Sequence, residues 1–166
     1  MSKRCYTQPF CAVGAIIEKN GKIALVKENC KNKQHPDHGK WNQPAGWIDL
    51  GEDIITAAKR EVEEETGFDF EPTHVLGIYQ LVRNDLKDAI GEGTPHAIKI
   101  IFIGQADIAN PKPLADEISE VRWFTPEEIN SMGPDVLRDV DIKKEVADYF
   151  QGIKYPLEII SRRTSV

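Results

Sequence analysis

Gly46-Trp47-Ile48-Asp49-Leu50-Gly51-Glu52-Asp53-Ile54-Ile55-Thr56-Ala57-Ala58-Lys59-Arg60-Glu61-Val62-Glu63-Glu64-Glu65-Thr66-Gly67-Phe68 sets an acidic run between glycines. Asp53 to Gly67 reads as a helix, with Asp53 as N-cap and Gly67 at C′. At about 100° per residue, with Glu61 as origin, Glu65 falls at about 40° and Glu64 at about 300°. Three carboxylates then share an arc about 100° wide, while Ile55, Ala58 and Val62 form an adjacent apolar stripe that faces a sheet. Lys59 and Glu63 fall on the far side and pair in solvent.

Like charges on neighbouring turns repel, so the run needs an offset. Arg60, four residues before Glu64, is one. A bound cation is another, because carboxylate oxygens are what Mg²⁺ prefers and Mg²⁺ commonly bridges carboxylates and substrate phosphates. A charge run by itself usually only solvates a helix face. The surrounding spacing argues otherwise. Gly46, five residues, Glu52, seven residues, then Arg60-Glu61-Val62-Glu63-Glu64-Glu65-Thr66-Gly67-Phe68 matches every defined position of the Nudix box. At ordinary residue frequencies its seven fixed positions coincide by chance about once in 10⁸ starts.

The chain thus resembles the Nudix hydrolases. The resemblance implies an α/β fold: an α/β/α sandwich around a mixed β-sheet with a loop-helix-loop catalytic motif. It implies Mg²⁺-dependent cleavage of a diphosphate linked to another moiety, with Mn²⁺ as a substitute. Position by position, Glu61, Glu64 and Glu65 match the family's metal-binding carboxylates. Glu52 matches the first box glutamate, a supporting group or occasional ligand, and Arg60 the arginine that holds the carboxylates. The Gly46 carbonyl matches a further metal ligand. The family often adds one acidic residue before a late strand carrying Trp. Glu117 and Glu120 precede Trp123 here; Glu117 is preferred as ligand or base.

A narrower resemblance, to the NudJ-type bacterial phosphatases, rests on Trp41-Asn42-Gln43-Pro44-Ala45-Gly46, on Arg122-Trp123 with Glu127-Glu128-Ile129, and on Lys154-Tyr155-Pro156-Leu157-Glu158-Ile159-Ile160. It implies nucleoside di- and triphosphates or thiamine-type pyrophosphates as substrates. The alternatives within the family are ADP-ribose, nucleotide sugars and oxidised dNTPs. The alternative of another class is an inactive Nudix-like ligand-binding module, but such modules usually damage the box and this one is complete. Family members are often homodimers.

The whole chain fits this reading as one domain with a C-terminal tail from Gln151. It has 166 residues, 40% hydrophobic and 29% charged, enough to build a core. With 21 Lys and Arg against 27 Asp and Glu, it is a poor binder of nucleic-acid polymers through a basic face. The longest apolar run, Phe10 to Ile17, is far short of a membrane span. Lys3 and Arg4 before it imitate a signal peptide, but no small-residue cleavage site follows, so the run reads as a strand. The odd set Cys5, Cys11 and Cys30 points to a reducing, cytoplasmic setting.

Asn20-Gly21 reads as a tight hairpin turn into a strand over Lys22 to Val26. Glu28 to Lys40 reads as a long polar loop, and Asn84 to Pro95 as another. Val75 to Arg83, Ala97 to Gln105 and Val121 to Phe124 read as strands. Thr125-Pro126-Glu127-Glu128 starts a helix, and Asp135 to Phe150 has helical apolar spacing. Cys30, His35 and His38 match no structural-zinc spacing well. Trp41 and Trp47 are candidates for stacking on substrate, Trp123 for the core. Tyr79, Arg83, His96 and Lys99 lie on or beside strands, with their faces undecided.

Overall fold

A computed structural model of the chain describes residues 8–89 and 91–161. Cys5 and the Lys3-Arg4 pair lie outside the described residues. The strands are β1 (Phe10–Ile16), β2 (Glu18–Lys19), β3 (Lys22–Glu28), β4 (Trp41–Asn42), β5 (Ala45–Trp47), β6 (Asp69–Val82), β7 (His96–Asp107), β8 (Ile118–Phe124) and β9 (Tyr155–Pro156). The helices are α1 (Ile54–Thr66), α2 (Pro126–Ser131) and α3 (Ile142–Phe150). A mixed sheet runs β5-β1-β7-β6-β9, with β1 and β7 parallel and the other pairs antiparallel. A smaller antiparallel sheet joins β2, β3 and β4, with β8 on the other side of β3.

The period-two alternation of the strands splits the core into two layers. Val13, Ala15, Ala24, Val75 and Phe102 pack under α1 with Ala57, Ala58 and Val62. Ile16, Ile23, Leu25, Leu76, Ile101 and Ile103 point the other way and pack with Ile129, Leu137, Ile142 and Val146. This is the expected sandwich, with α1 on one side and α2 and α3 on the other.

Helix α1 has the expected ends. The Asp53 carboxylate accepts hydrogen bonds from the Ile55 and Thr56 amides at 3.0 and 3.2 Å. Gly67 takes φ +73, and a Cβ there would stand 2.2 Å from the Lys112 carbonyl oxygen. Asn20 and Gly21 both take positive φ, as the hairpin requires, but the chain changes sheets at this point. Only Glu18 and Lys19 ladder with β3 as a strand, while β1 belongs to the large sheet.

Several boundaries differ from expectation, among them the start of β8 at Ile118 and both ends of β7. The strand read from Val75 begins at Asp69, because Pro72 is absorbed at a register irregularity opposite Gly104. The loop read from Glu28 begins one residue later, with Glu28 ending β3. The helix read over Asp135 to Phe150 is helical only from Ile142. Before it, the Trp41 amide donates to the Val136 carbonyl and the Arg138 amide to the Trp41 carbonyl, at 2.8 and 2.9 Å. Those bonds make an isolated bridge between Leu137 and Trp41 at the end of a turn, so the apolar spacing there serves two different neighbours.

The α3 side also contains buried charge. Lys99 Nζ lies 3.0 Å from Asp141 Oδ2 and 2.8 Å from Glu145 Oε1. Gln43 donates to the other Glu145 oxygen at 2.7 Å. Burial raises the Glu145 carboxyl to about 7, although Lys99 pulls it down. An acid that holds its proton more tightly when folded adds stability as pH falls from that value toward the ordinary 4.5. The melting temperature of the wild type is therefore expected to rise relative to Glu145→Gln as the pH drops from about 8 to about 5.5. A difference that stays constant over that range would assign Glu145 one charge state throughout.

Candidate active site

The entry segment and α1 meet face to face. Arg60 is the centre of the arrangement. Its Nε and Nη2 donate to the two Glu52 oxygens at 2.8 and 2.9 Å, a bidentate pair. Nη2 also donates to the Trp47 carbonyl at 3.1 Å. Nη1 reaches Glu61 at 2.7 Å and Glu64 at 3.3 Å. One guanidinium thus ties the loop before α1 to two carboxylates on it. The Arg60 hydrogen bonds, with the Asp49 amide, hold the Glu52 carboxyl down to about 2.

Glu61 is buried beneath the entry segment. A Cβ at Gly46 would stand 2.1 Å from the Glu61 carboxyl carbon, so only glycine lets this carboxylate lie against the backbone. Glu65 accepts a hydrogen bond from the Ala45 amide at 2.9 Å. Burial raises the carboxyl of Glu61, with Arg60 opposing, and raises that of Glu65 well above the usual range. Glu64 is half exposed at the rim. A Gly46→Ala variant is expected to displace Glu61 and to lower turnover by about 10²-fold, the usual cost of a small misplacement at a reacting centre. Turnover at the wild-type level would mean that Glu61 need not stay in contact with this backbone.

Gly46, Glu61 and Glu65 line a cavity of about 380 Å³ together with Glu28, Asn42, Lys99 and Glu117. It adjoins a chamber of about 610 Å³, and the two share Trp47, Leu81, Ala97, Arg138 and Asp139. The polar loops 28–40 and 84–95 wall the larger chamber with His35, Asp37, Leu86 and Pro95. Arg83 crosses it, donating to Asp139 at 2.7 Å and to Asp37 at 3.0 Å. Its charges are matched internally, Arg83 and Arg138 against Asp37 and Asp139.

The other candidates separate clearly. Glu117 lines the smaller cavity but is mostly exposed and paired with Lys31 at 3.2 Å, which lowers its carboxyl below the ordinary value. Glu120 pairs with Arg122 along β8. Trp41 is buried edge-on to Phe124 at 4.9 Å, and Trp123 stacks on Phe68 at 6.0 Å. Trp47 faces both cavities. His96 faces the chamber, and Lys99 is buried in the smaller cavity wall. Tyr79 turns away to donate to Asp148. Glu28, Asn42, Asp37, Arg138 and Asp139 carry no local signal of a shared site, since they arrive from four separate segments. The one trace is charge at Arg138 and Asp139 interrupting an apolar helical spacing.

The residues suit a divalent cation. The donor set is hard oxygen, from Glu61, Glu65 and the Gly46 carbonyl in the cavity lining, with Glu64 on the same helix but outside that lining, and among the described residues the buried Asn42 Oδ1 has no hydrogen-bond partner. Among the described residues no three acidic, His or Cys side chains converge closely enough to cage an ion. Arg60 Nη1 instead bridges Glu61 and Glu64.

This fold and this box define a hydrolase of phosphoanhydrides built on the Nudix plan, and the NUDIX domain model matches residues 9–147. The chain belongs to the Nudix family. It is 30% identical to Phosphatase NudJ of Escherichia coli strain K12 over 153 residues, 92% of this chain and 91% of that protein. The solved NUDIX hydrolase from Nitrosomonas europaea superposes with a TM-score of 0.78 at 32% identity, covering 94% of this chain and 98% of that one. The MutT protein from Methanosarcina mazei Go1, at 24% identity and a TM-score of 0.68 over 88% of this chain and 96% of its own, shares the fold. No helix among the described residues is long and apolar enough to cross a membrane.

Proposed function

We propose that this chain is a Mg²⁺-dependent hydrolase of nucleoside di- and triphosphates or thiamine-type pyrophosphates, with Mn²⁺ able to replace Mg²⁺. The observation that carries the reading is the Gly46–Glu61 contact at the floor of a cavity that opens into the larger chamber. The likeness to Phosphatase NudJ supports the substrate class.

Glu61, Glu64, Glu65 and the Gly46 carbonyl would hold the cation. A bound divalent ion would neutralise charge on the diphosphate and lower the pKa of a water. Arg60 and Glu52 keep the carboxylates of α1 turned toward the entry segment. A box glutamate or Glu117 accepts the proton of the attacking water. Trp47 offers an aromatic face at the junction of the two cavities, where the non-phosphate part of the substrate begins. Among the described residues that line it, the chamber beyond carries no unmatched Lys or Arg, so it receives an uncharged group better than a second phosphate. Water is the acceptor, so no protein nucleophile is needed. A cytoplasmic setting belongs to the same reading, and Cys11 and Cys30 are free thiols.

The test is a panel of diphosphate compounds with Mg²⁺, products identified by mass. Free phosphate released directly from a nucleoside triphosphate or a thiamine-type pyrophosphate is the expected result. Nucleoside monophosphate plus pyrophosphate, or preference for ADP-ribose or a nucleotide sugar, would replace this substrate class with the alternative. Binding without turnover of any compound would make the chain a ligand-binding module.

A further inference from the structure

The wall opposite α1 carries oxygen atoms whose purpose the box does not explain. Asn42 on β4 stands opposite Val26 on β3, so both project from the same face of the small sheet. The regular pairing of β3 with β8 breaks between Lys27 and Glu28. Glu28 and Asn42 are both buried, and both line the cavity that holds Glu65.

Asn42 is unsatisfied there, and Glu28 shares its cation with other carboxylates. Among the described residues Asn42 Oδ1 has no hydrogen-bond partner, a rare state for a buried acceptor. Glu28 accepts from Arg138 Nη1 at 2.7 Å, but the same guanidinium also lies 3.5 Å from Asp37 and 4.0 Å from Asp139. Glu65 makes its hydrogen bond to a backbone amide and has no ion pair among the described residues. Of the cations that line the cavity, Arg60 is taken up by Glu52, Glu61 and Glu64 and Lys99 by Asp141 and Glu145, which leaves Arg138 to Glu28. A hard divalent ion takes carboxylate and amide oxygens alike.

We propose that Glu28 and Asn42 are oxygen ligands of a divalent cation in this cavity, held jointly with Glu65. The proposal rests on the metal-dependent reading of the site. It assigns to Glu28 the role of acidic ligand outside the box that the sequence reading gave to Glu117.

Mn²⁺ alone, titrated without substrate and followed by the paramagnetic resonance of the free ion, tests it. Glu28→Gln and Asn42→Leu are each expected to weaken Mn²⁺ binding by about tenfold or more, the scale on which groups supporting a metal act. Arg138→Met is expected to tighten it, since a competing cation leaves. If Glu28 serves only as the structural partner of Arg138, Glu28→Gln and Asn42→Leu keep wild-type affinity, and that overturns the proposal. Weakening by Arg138→Met equal to that by Glu28→Gln would trace the effect to the lost ion pair and overturn it too. Should Glu28→Gln fail to fold, Asn42→Leu decides: wild-type Mn²⁺ affinity in that variant overturns the proposal. Loss of Mn²⁺ binding in Glu61→Gln, with Glu28→Gln and Asn42→Leu unaffected, removes this proposal and leaves the box site standing. A wild type that binds no Mn²⁺ removes both.

Discussion

Glu64→Gln is expected to melt with the wild type and to turn over about 10³-fold more slowly, the scale on which a positioned carboxylate assists proton transfer. Stability is spared because the side chain is 51% exposed and makes one long contact, 3.3 Å to Arg60. Exposed ion pairs of this kind contribute about 0–1 kcal/mol. Turnover is lost because the substitution keeps the shape and removes the charge. Among the three box carboxylates offered to the cation Glu64 is the most exposed. The measurement is kcat with saturating Mg²⁺ beside a thermal melt. A folded Glu64→Gln protein with wild-type turnover would remove Glu64 from the site.

Lys99→Ala has the opposite profile, with stability as the main casualty. Its side chain is 4% exposed, and it is the cation between Asp141 and Glu145. Burial works to lower the Lys99 pKa, but Glu145 and Asp141 outweigh it and raise it, so the ammonium stays charged. Removing one partner of a buried pair leaves an uncompensated charge, which costs about 3–5 kcal/mol. For a domain of this size that lowers the melting temperature by roughly 10 °C or more. The damage extends to the entry segment, because Gln43 is bonded to Glu145. Lys99→Met restores most of the volume and is expected to lose nearly as much. The double variant Lys99→Met, Glu145→Gln recovers part of it, since the orphaned charge is gone. A Lys99→Ala protein melting within about 2 °C of wild type would mean that the cluster is not ionised.

The site divides along the same line as the two predictions. Glu52, Arg60, Glu61, Glu64 and Glu65 were readable because they lie on one helix and the loop before it. Helical geometry converts their spacing into proximity, and the structure joins Arg60 to Glu52, Glu61 and Glu64. Gly46 was readable as a box position, but the reason for glycine there is the Glu61 carboxyl group packed against it. The tryptophans were legible only as candidates. Trp41 and Trp47 are six residues apart, yet one is core and the other faces both cavities. Asp135 to Phe150 misled because apolar spacing records burial without saying against what. Leu137 is held in a bridge to Trp41, and the helix follows later.

The amino-acid sequence by itself determined the box helix with its caps, the carboxylates it presents, the family plan and most of the strands, since each depends on contacts within a few residues or on strict alternation. Only the tertiary structure decided which charges are buried and what the cavity contains. Glu28, Asn42 and Arg138 meet Glu65 from β3, β4 and the segment before α3, across separations over which no local periodicity carries information. Their nearness is set by how two sheets and three helices share one core, and burial then decides which of those charges requires a partner.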